Sequence, residues 1–273
     1  MRVVVVLHYY STGPGQELHE WLKSRSIEES LLIEHPFPFS ARQATRIETF
    51  RIDRGASERQ VKRERWPMCI RYALDFARPL RLILSSRGHW DVYVVNGCFD
   101  TLPGLFLKLL GKVRHVVLHT IDYAPHAGGS RFYAWAYRRM DRFCCYHVDA
   151  IWDLSHRMLE ARIRDGVIRG RCAHVEWVPH GSHARVLKPR LPARASPQRL
   201  AFLGHIQEKS GVQLVLETMP EAIKEFTDLS LDVLGDGPHR PCLEALVDRL
   251  GLSRRVRCHG YIKDHEEAER ILA

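Results

Sequence analysis

Short β-branched apolar runs recur along the chain, separated by stretches whose apolar residues fall at helical spacing. Residues 3–7, 31–33, 92–95, 116–121, 150–154 and 175–178 form a first series of candidate strands, and 200–203, 231–234 and 256–261 a second. Between them, 16–26, 131–147, 211–226 and 243–250 have the periodicity of helices, and a further helix opens at 265. Alternation of this kind predicts an α/β protein with parallel sheets covered by helices on both faces. One stretch breaks the rhythm: residues 184–198 hold three prolines, no acidic residue and no periodicity, which reads as a linker. The expected organisation is a domain over 1–186, a linker over 187–198 and a second domain over 199–273. With 75 residues and three strands, the second domain is short against a typical ~100–150. It stops inside a helix and is expected to be a truncated domain.

Composition narrows the class. The chain has 273 residues, 45% hydrophobic and 27% charged, which excludes disorder, collagen and coiled coil. No apolar run approaches the ~18–20 residues of a spanning helix, and the first is too short for a signal-peptide core of ~7–15. Seven cysteines without a C-x-x-C pair suit neither a disulfide framework nor a structural zinc site, and read as reduced cytosolic thiols, mostly interior. Sixteen histidines contain no H-E-x-x-H or comparable cluster, so no metal site is expected. The net charge of +9 is uneven: residues 41–90 hold twelve Lys/Arg against five acidic residues, a local +7. Such a surface attracts anions.

Three glycine turns follow the strands of the second domain. Residues 200–211 read LAFLGHIQEKSG, a buried strand running through a short loop into a helix. The carboxyl end of a parallel strand and the next helix N-terminus form an anion site, and His205 and Lys209 would add cations there. The next strand ends in Gly235-Asp236-Gly237-Pro238, a turn opening a helix with Pro238 in its first turn; Arg240 replaces the third glycine of G-x-G-x-x-G. The third strand ends at Gly260, where backbone can approach a ligand closely.

These segments, FLGHIQEKSGVQLVLE, LDVLGDGPHRPCLEALVDRLGL and VRCHGYI, resemble the donor-binding domain of GT-B glycosyltransferases of the retaining GT4 family. WVPHGSH at 177–183 is similar to that family's V-P-N-G-V-D junction, and the first domain matches loosely through STGPG at 11–15 and TIDYAP at 120–125. The resemblance implies two Rossmann-like domains facing each other across a cleft, and transfer of a sugar from a nucleotide sugar with retention of configuration. It implies no obligatory metal and no cofactor. Lys209 matches the lysine that binds the donor diphosphate, and His205 stands where the family has arginine. Gly204, Gly235, Asp236 and Gly237 fall in the donor loops, Tyr261 and Ile262 in the stretch that holds the nucleobase, and Gly13 and Gly15 in the loop that lets the first domain approach the phosphates. UDP is expected before GDP on family frequency.

Two departures accompany the resemblance. The family's paired glutamates, E-x7-E, belong downstream of Gly260 and are not in the chain; the acidic residues of 264–269 read as a helix face. Asp122 aligns with a catalytic family Asp, but Ile121 occupies the usual His position, leaving His119 on the same strand face as a substitute. The later part of the basic stretch mixes arginines with Trp66, Ile70, Leu74 and Phe76 at helical spacing interrupted by Pro67 and Pro79, which suits an anionic membrane surface and a lipid-linked or membrane-borne acceptor. A core-facing helix with a solvated basic side accounts for the same pattern. No recognition-helix, zinc-finger or RNP-like pattern points to nucleic acid. The leading reading is a cytoplasmic, membrane-peripheral hexosyltransferase. A nucleotide-sugar epimerase, a sugar phosphorylase and an inactive docking module remain open alternatives. An epimerase would release a changed nucleotide sugar without acceptor, and a phosphorylase would respond to inorganic phosphate.

Overall fold

The computed structural model describes residues 1–9, 13–25, 27–37, 44–62, 66–125, 129–179, 198–262 and 265–272. Residues 187–197 of the expected linker and the HGSH half of the 177–183 motif lie outside the described residues. The chain divides into two units, Met1–Gly181 and Ser182–Ala273.

The first unit begins with the predicted apolar run, strand β1 (Arg2–Tyr9), whose Val4, Val5 and Val6 are fully buried. Then come α1 (Pro14–Lys23), β2 (Glu29–Pro36), β3 (Ala44–Arg51), β4 (Gly55–Lys62), α2 (Met68–Ser85) and β5 (Trp90–Asn96). The unit continues with α3 (Cys98–Leu109), β6 (Val113–Thr120), α4 (Arg131–His147), β7 (Ala150–Asp153), α5 (His156–Arg164) and β8 (His174–Trp177). Its sheet has the order β4-β3-β2-β1-β5-β6-β7-β8. Strand β1 pairs in parallel with β2 and β5, and β6, β7 and β8 continue in parallel.

The expected all-parallel sheet is corrected at one edge, where β2–β3 and β3–β4 pair antiparallel. This hairpin lies in the basic stretch and shows no apolar run. Strand β4, GASERQVK, is exposed along almost its whole length, and its charged side chains blunt an open sheet edge. Strand β2 is longer than its apolar centre because its charges are buried in pairs: Glu29 takes Arg2 and Arg51, and Glu34 takes Arg46 and Gln16. Helix α2 also differs from expectation. Pro67 sits at its N-cap and Pro79 lies inside a continuous helix, so neither interrupts it. The thiols are less interior than expected: Cys98, Cys144 and Cys145 are buried, whereas Cys69 and Cys242 are exposed.

Two apolar clusters cover the two faces of the sheet. Ile83 of α2, Leu107 of α3 and Cys144 and Cys145 of α4 pack with Val4, Val6, Val95, Val116 and Leu118. Leu22 of α1 packs on the other face with Val3, Val5, Leu7, Val94 and Val117. Each fully buried Val or Leu contributes roughly 1.5–3 kcal/mol.

The second unit runs β9 (Arg199–Leu203), α6 (Val212–Glu225), β10 (Ser230–Leu234), α7 (Arg240–Arg249), β11 (Val256–Gly260) and α8 (His265–Leu272). Its parallel sheet has the order β11-β10-β9. Ile206, Leu216, Met219, Leu231, Val233 and Leu243 form its core. Asp232 is buried in β10, where Arg199 of β9 (2.7 Å) and His259 of β11 (2.6 Å) both donate to it. Burial alone would raise its pKa, but these two partners hold it below the usual carboxylate range.

The strand ends meet backbone to backbone. A Cβ on Gly235 (φ +137°) would stand 1.8 Å from the carbonyl oxygen of Gly204, and one on Gly237 would stand 2.2 Å from that of Ile206. Gly235→Ala and Gly237→Ala are therefore each expected to destabilise the second unit by about 1–3 kcal/mol. Urea unfolding measures this directly, and an unchanged midpoint in both variants would contradict the close packing.

Candidate functional site

In the second unit the three glycine turns are joined at one end of the sheet. The Gly204 amide donates to the Leu234 carbonyl (3.0 Å), that of Gly235 to Gly260 (2.8 Å), that of Ile206 to Asp236 (2.9 Å), and that of His239 to Ile206 (3.2 Å). These bonds leave Gly204, Gly235 and Gly260 side by side at the carboxyl ends of β9, β10 and β11.

The loop after Gly204 is fixed by Ser210, whose hydroxyl accepts from the Gln207 amide and donates to the His205 carbonyl (2.7 Å). Residues Glu208–Ser210 make one 3-10 turn, and Gly211 (φ +75°) starts α6 without a side-chain cap. His205 and Lys209 are exposed on this loop, and the first amides of α6 follow it. Such an arrangement favours an anion.

Beyond β11, Tyr261 is exposed and Ile262 half-buried. Pro238, expected in the first turn of the helix, instead falls in the turn before α7, and Pro241 stands in that first turn. Arg240 is the residue sequence reasoning passed over, noting it only as a missing glycine. Its guanidinium bonds Glu244 (2.7 Å), and one of its nitrogens stands 2.8 Å from where a Cβ on Gly260 would lie. It thus places a cation beside the end of β11.

In the first unit a pocket of about 530 Å³ opens at the carboxyl ends of β1, β5 and β6. Gly13 and Asp122 line it, with His8, Asn96, Thr120 and Asp141. Gly15 lies behind the wall; a Cβ there would stand 2.5 Å from Leu7. His119 is buried, its ring edge-on to Trp152 at 6.0 Å, and it does not line the pocket.

Two buried charge networks, neither singled out by sequence, support this pocket. His8 sits with Nδ1 at 2.7 Å from Asp100 and Nε2 at 3.6 Å from Asp75, while His35 approaches Asp75 at 3.2 Å. Burial pushes the His8 pKa down, but Asp100 and then Asp75 outweigh it and raise it to about 9. Burial dominates at His35 and lowers its pKa. Behind the opposite wall the fully buried Arg162 bonds Asp153 (2.7 Å), Asp141 (3.0 Å) and Thr120 (2.7 Å). Burial opposes its charge, and Asp141 and Asp153 restore it. The signals lay in the sequence as isolated charges within apolar helices and strands, whose partners only the fold reveals.

Sucrose-phosphate synthase from Thermosynechococcus elongatus matches 98% of this chain and 72% of its own at a TM-score of 0.64 and 13% identity. The catalytic domain of starch synthase IV from Arabidopsis thaliana, bound to ADP and acarbose, matches 98% of this chain and 76% of its own, at 0.61 and 9% identity. The fold is that of GT-B glycosyltransferases. Residues 197–273 match the family model described as Glycosyl transferases group 1. Over 65 residues, 24% of this chain, the sequence is 35% identical to the alpha-D-kanosaminyltransferase of Streptomyces kanamyceticus. That match spans 17% of the relative's length.

The His8 network carries a prediction with a definite sign. A histidine raised from 6.5 to about 9 on folding stabilises fully below pH 6.5, and the contribution is lost as pH rises through about 9. The difference in melting temperature between the native chain and His8→Gln is expected to be greatest near pH 6 and to shrink toward pH ~9.5. A difference independent of pH would contradict the charged assignment.

Proposed function

We propose that this chain transfers a hexosyl group from a nucleotide sugar, UDP-linked before GDP-linked, to an acceptor with retention of anomeric configuration. The observation that carries the reading is the joined set of glycine turns at the ends of β9, β10 and β11, next to the Lys209 loop and the start of α6. It falls within the segment matched by the glycosyl transferases group 1 model. The structurally similar starch synthase, which holds ADP, supports a nucleoside diphosphate as the ligand class.

The chemistry fits those parts. Breaking a glycosyl–phosphate bond builds negative charge on the departing diphosphate and positive charge on the sugar carbon. Lys209 and the α6 amides supply fixed positive charge to the diphosphate, with His205 beside them as a hydrogen-bonding group, so the leaving group needs no separate acid and no metal. Gly204, Gly235, Asp236 and Gly237 bring backbone close to it, and Tyr261 and Ile262 face the base. In the first unit Gly13 and Gly15 shape the phosphate-facing loop, and Asp122 meets the acceptor in the pocket it lines. His119, packed against Trp152, is given no part at the substrate. A membrane-borne acceptor and a peripheral, cytoplasmic location accord with the basic first unit.

Replacing Lys209 with Ala is expected to weaken UDP binding by about 1.5–3 kcal/mol, roughly 10- to 150-fold, as for a lost hydrogen bond to a charged group. Titration calorimetry reads this, and unchanged affinity in the folded variant would overturn the assignment. Retention has its own test in the slow hydrolysis of UDP-α-sugars without acceptor. Proton NMR should show the α-anomer forming first, and a first-formed β-anomer would contradict retention.

A further inference from the structure

Helices α2, α3 and α4 cover one face of the first unit's sheet, with α3 packed against both α2 and α4. Together they hold three acidic residues, Asp75, Asp100 and Asp141, and all three are buried beneath the helices. The same helices hold eight Lys/Arg: Arg71, Arg78 and Arg81 on α2, Lys108 on α3, and Arg131, Arg138, Arg139 and Arg142 on α4. Arg78, Lys108 and Arg138 pair with Asp75, Asp149 and Asp165. Arg81, Arg131 and Arg139 are exposed, with no carboxylate in ion-pair range among the described residues. Every charge these helices turn outward is therefore positive.

Large apolar side chains stand among these cations. Phe132 is 76% exposed and Trp135 57%, their rings stacked at 5.9 Å on the first turns of α4. On α2 and its approach, Trp66, Met68, Ile70 and Leu74 are exposed. Both groups lie at the pocket end of the unit. Tyr72 of α2 touches the ring of Phe99 at the start of α3, and both approach His8 in the pocket wall. An isolated exposed aromatic needs no explanation, but two such groups flanking one helix, with only positive charge turned outward, do. Aromatic and aliphatic side chains enter the headgroup boundary while arginines meet anionic lipid phosphates. No helix among the described residues is long and apolar enough to cross a membrane, so the contact is with the surface.

We infer that the outer face of α2–α4, led by Phe132 and Trp135 with Arg131 and Arg139, docks the first unit on an anionic bilayer with its pocket next to the lipid surface. This deepens the membrane-side part of the proposed function and moves its seat. Arg59 and Lys62, part of the basic stretch, belong to the edge strand β4, whereas α4 carries the strongest candidates. The docking itself does not depend on sugar transfer.

The test is co-sedimentation of the full chain with vesicles of phosphatidylcholine alone or mixed with phosphatidylglycerol. Binding is expected to the mixed vesicles and not to the neutral ones, and to fall at high salt. The paired changes Phe132→Ser with Trp135→Ser, and Arg131→Glu with Arg139→Glu, should each weaken it about tenfold or more. The same charge change at Lys224 and Arg249 in the second unit should leave it unaltered. Equal binding to neutral vesicles, or equal loss from the Lys224 and Arg249 changes, would overturn the inference. So would a dimer in sedimentation velocity that the Phe132 and Trp135 changes dissolve, since a second copy would then be the occupant. Vesicle binding by a chain that fails to bind UDP would leave the docking standing and the transfer reading in doubt; the converse result would separate them the other way.

Discussion

The second unit depends on a contact in which there is room for no side chain: Gly235 against the carbonyl of Gly204, and Gly237 against that of Ile206. Because the turns after β9 and β10 touch through backbone, their amides and carbonyls bond each other and hold the strand ends together. That leaves the Lys209 loop and the first amides of α6 beside a surface stripped of Cβ atoms. A diphosphate needs this combination of close backbone and fixed positive charge. Arg240, beside Gly260, extends the positive charge to the third strand end.

The first unit solves a different problem. Helices α2, α3 and α4 keep their carboxylates inside and turn only lysine and arginine charges outward, so each buried acid needs an internal partner. Asp75 and Asp100 share His8, and Asp141 and Asp153 share Arg162. Breaking such a pair by removing one partner typically costs about 3–5 kcal/mol, because a charge is left without compensation. The two networks end on opposite walls of the same pocket, one through His8 and the other through Thr120 and Asp141. Paired burial thus sets the shape of the pocket and makes the outer face uniformly cationic.

Apolar periodicity made most of this architecture legible. Each of the nine runs read as strands coincides with a strand to within a residue or two and each of the four periodic stretches with a helix; most of those elements bury apolar side chains, whereas β9, expected to be buried, is largely exposed. The β3–β4 hairpin was invisible for the opposite reason: β4 buries almost nothing, so no pattern marks it. Pro79 was misleading because proline is tolerated within α2 despite its missing amide. Motif order singled out Gly204, Gly235 and Gly237, which the fold sets at neighbouring strand ends, and Lys209 on the adjoining loop, since glycine and lysine spacing is local. His8 and Arg162 escaped because partners such as Asp100 and Thr120 are distant in sequence, and Arg240 because only the fold brings it beside Gly260. His119 shows the converse, a residue placed by strand alternation whose ring turns toward Trp152.

The proposed function requires the strand ends of the second unit to hold a nucleoside diphosphate. Its most direct test is the melting temperature of the full chain with UDP, GDP, ADP or NAD at equal, saturating concentration. A ligand at about 100 times its Kd stabilises the folded state by about 2.7 kcal/mol. A clear rise with one nucleoside diphosphate and none with NAD is expected, and it would also identify the base. An unchanged melting temperature with all three diphosphates would contradict it.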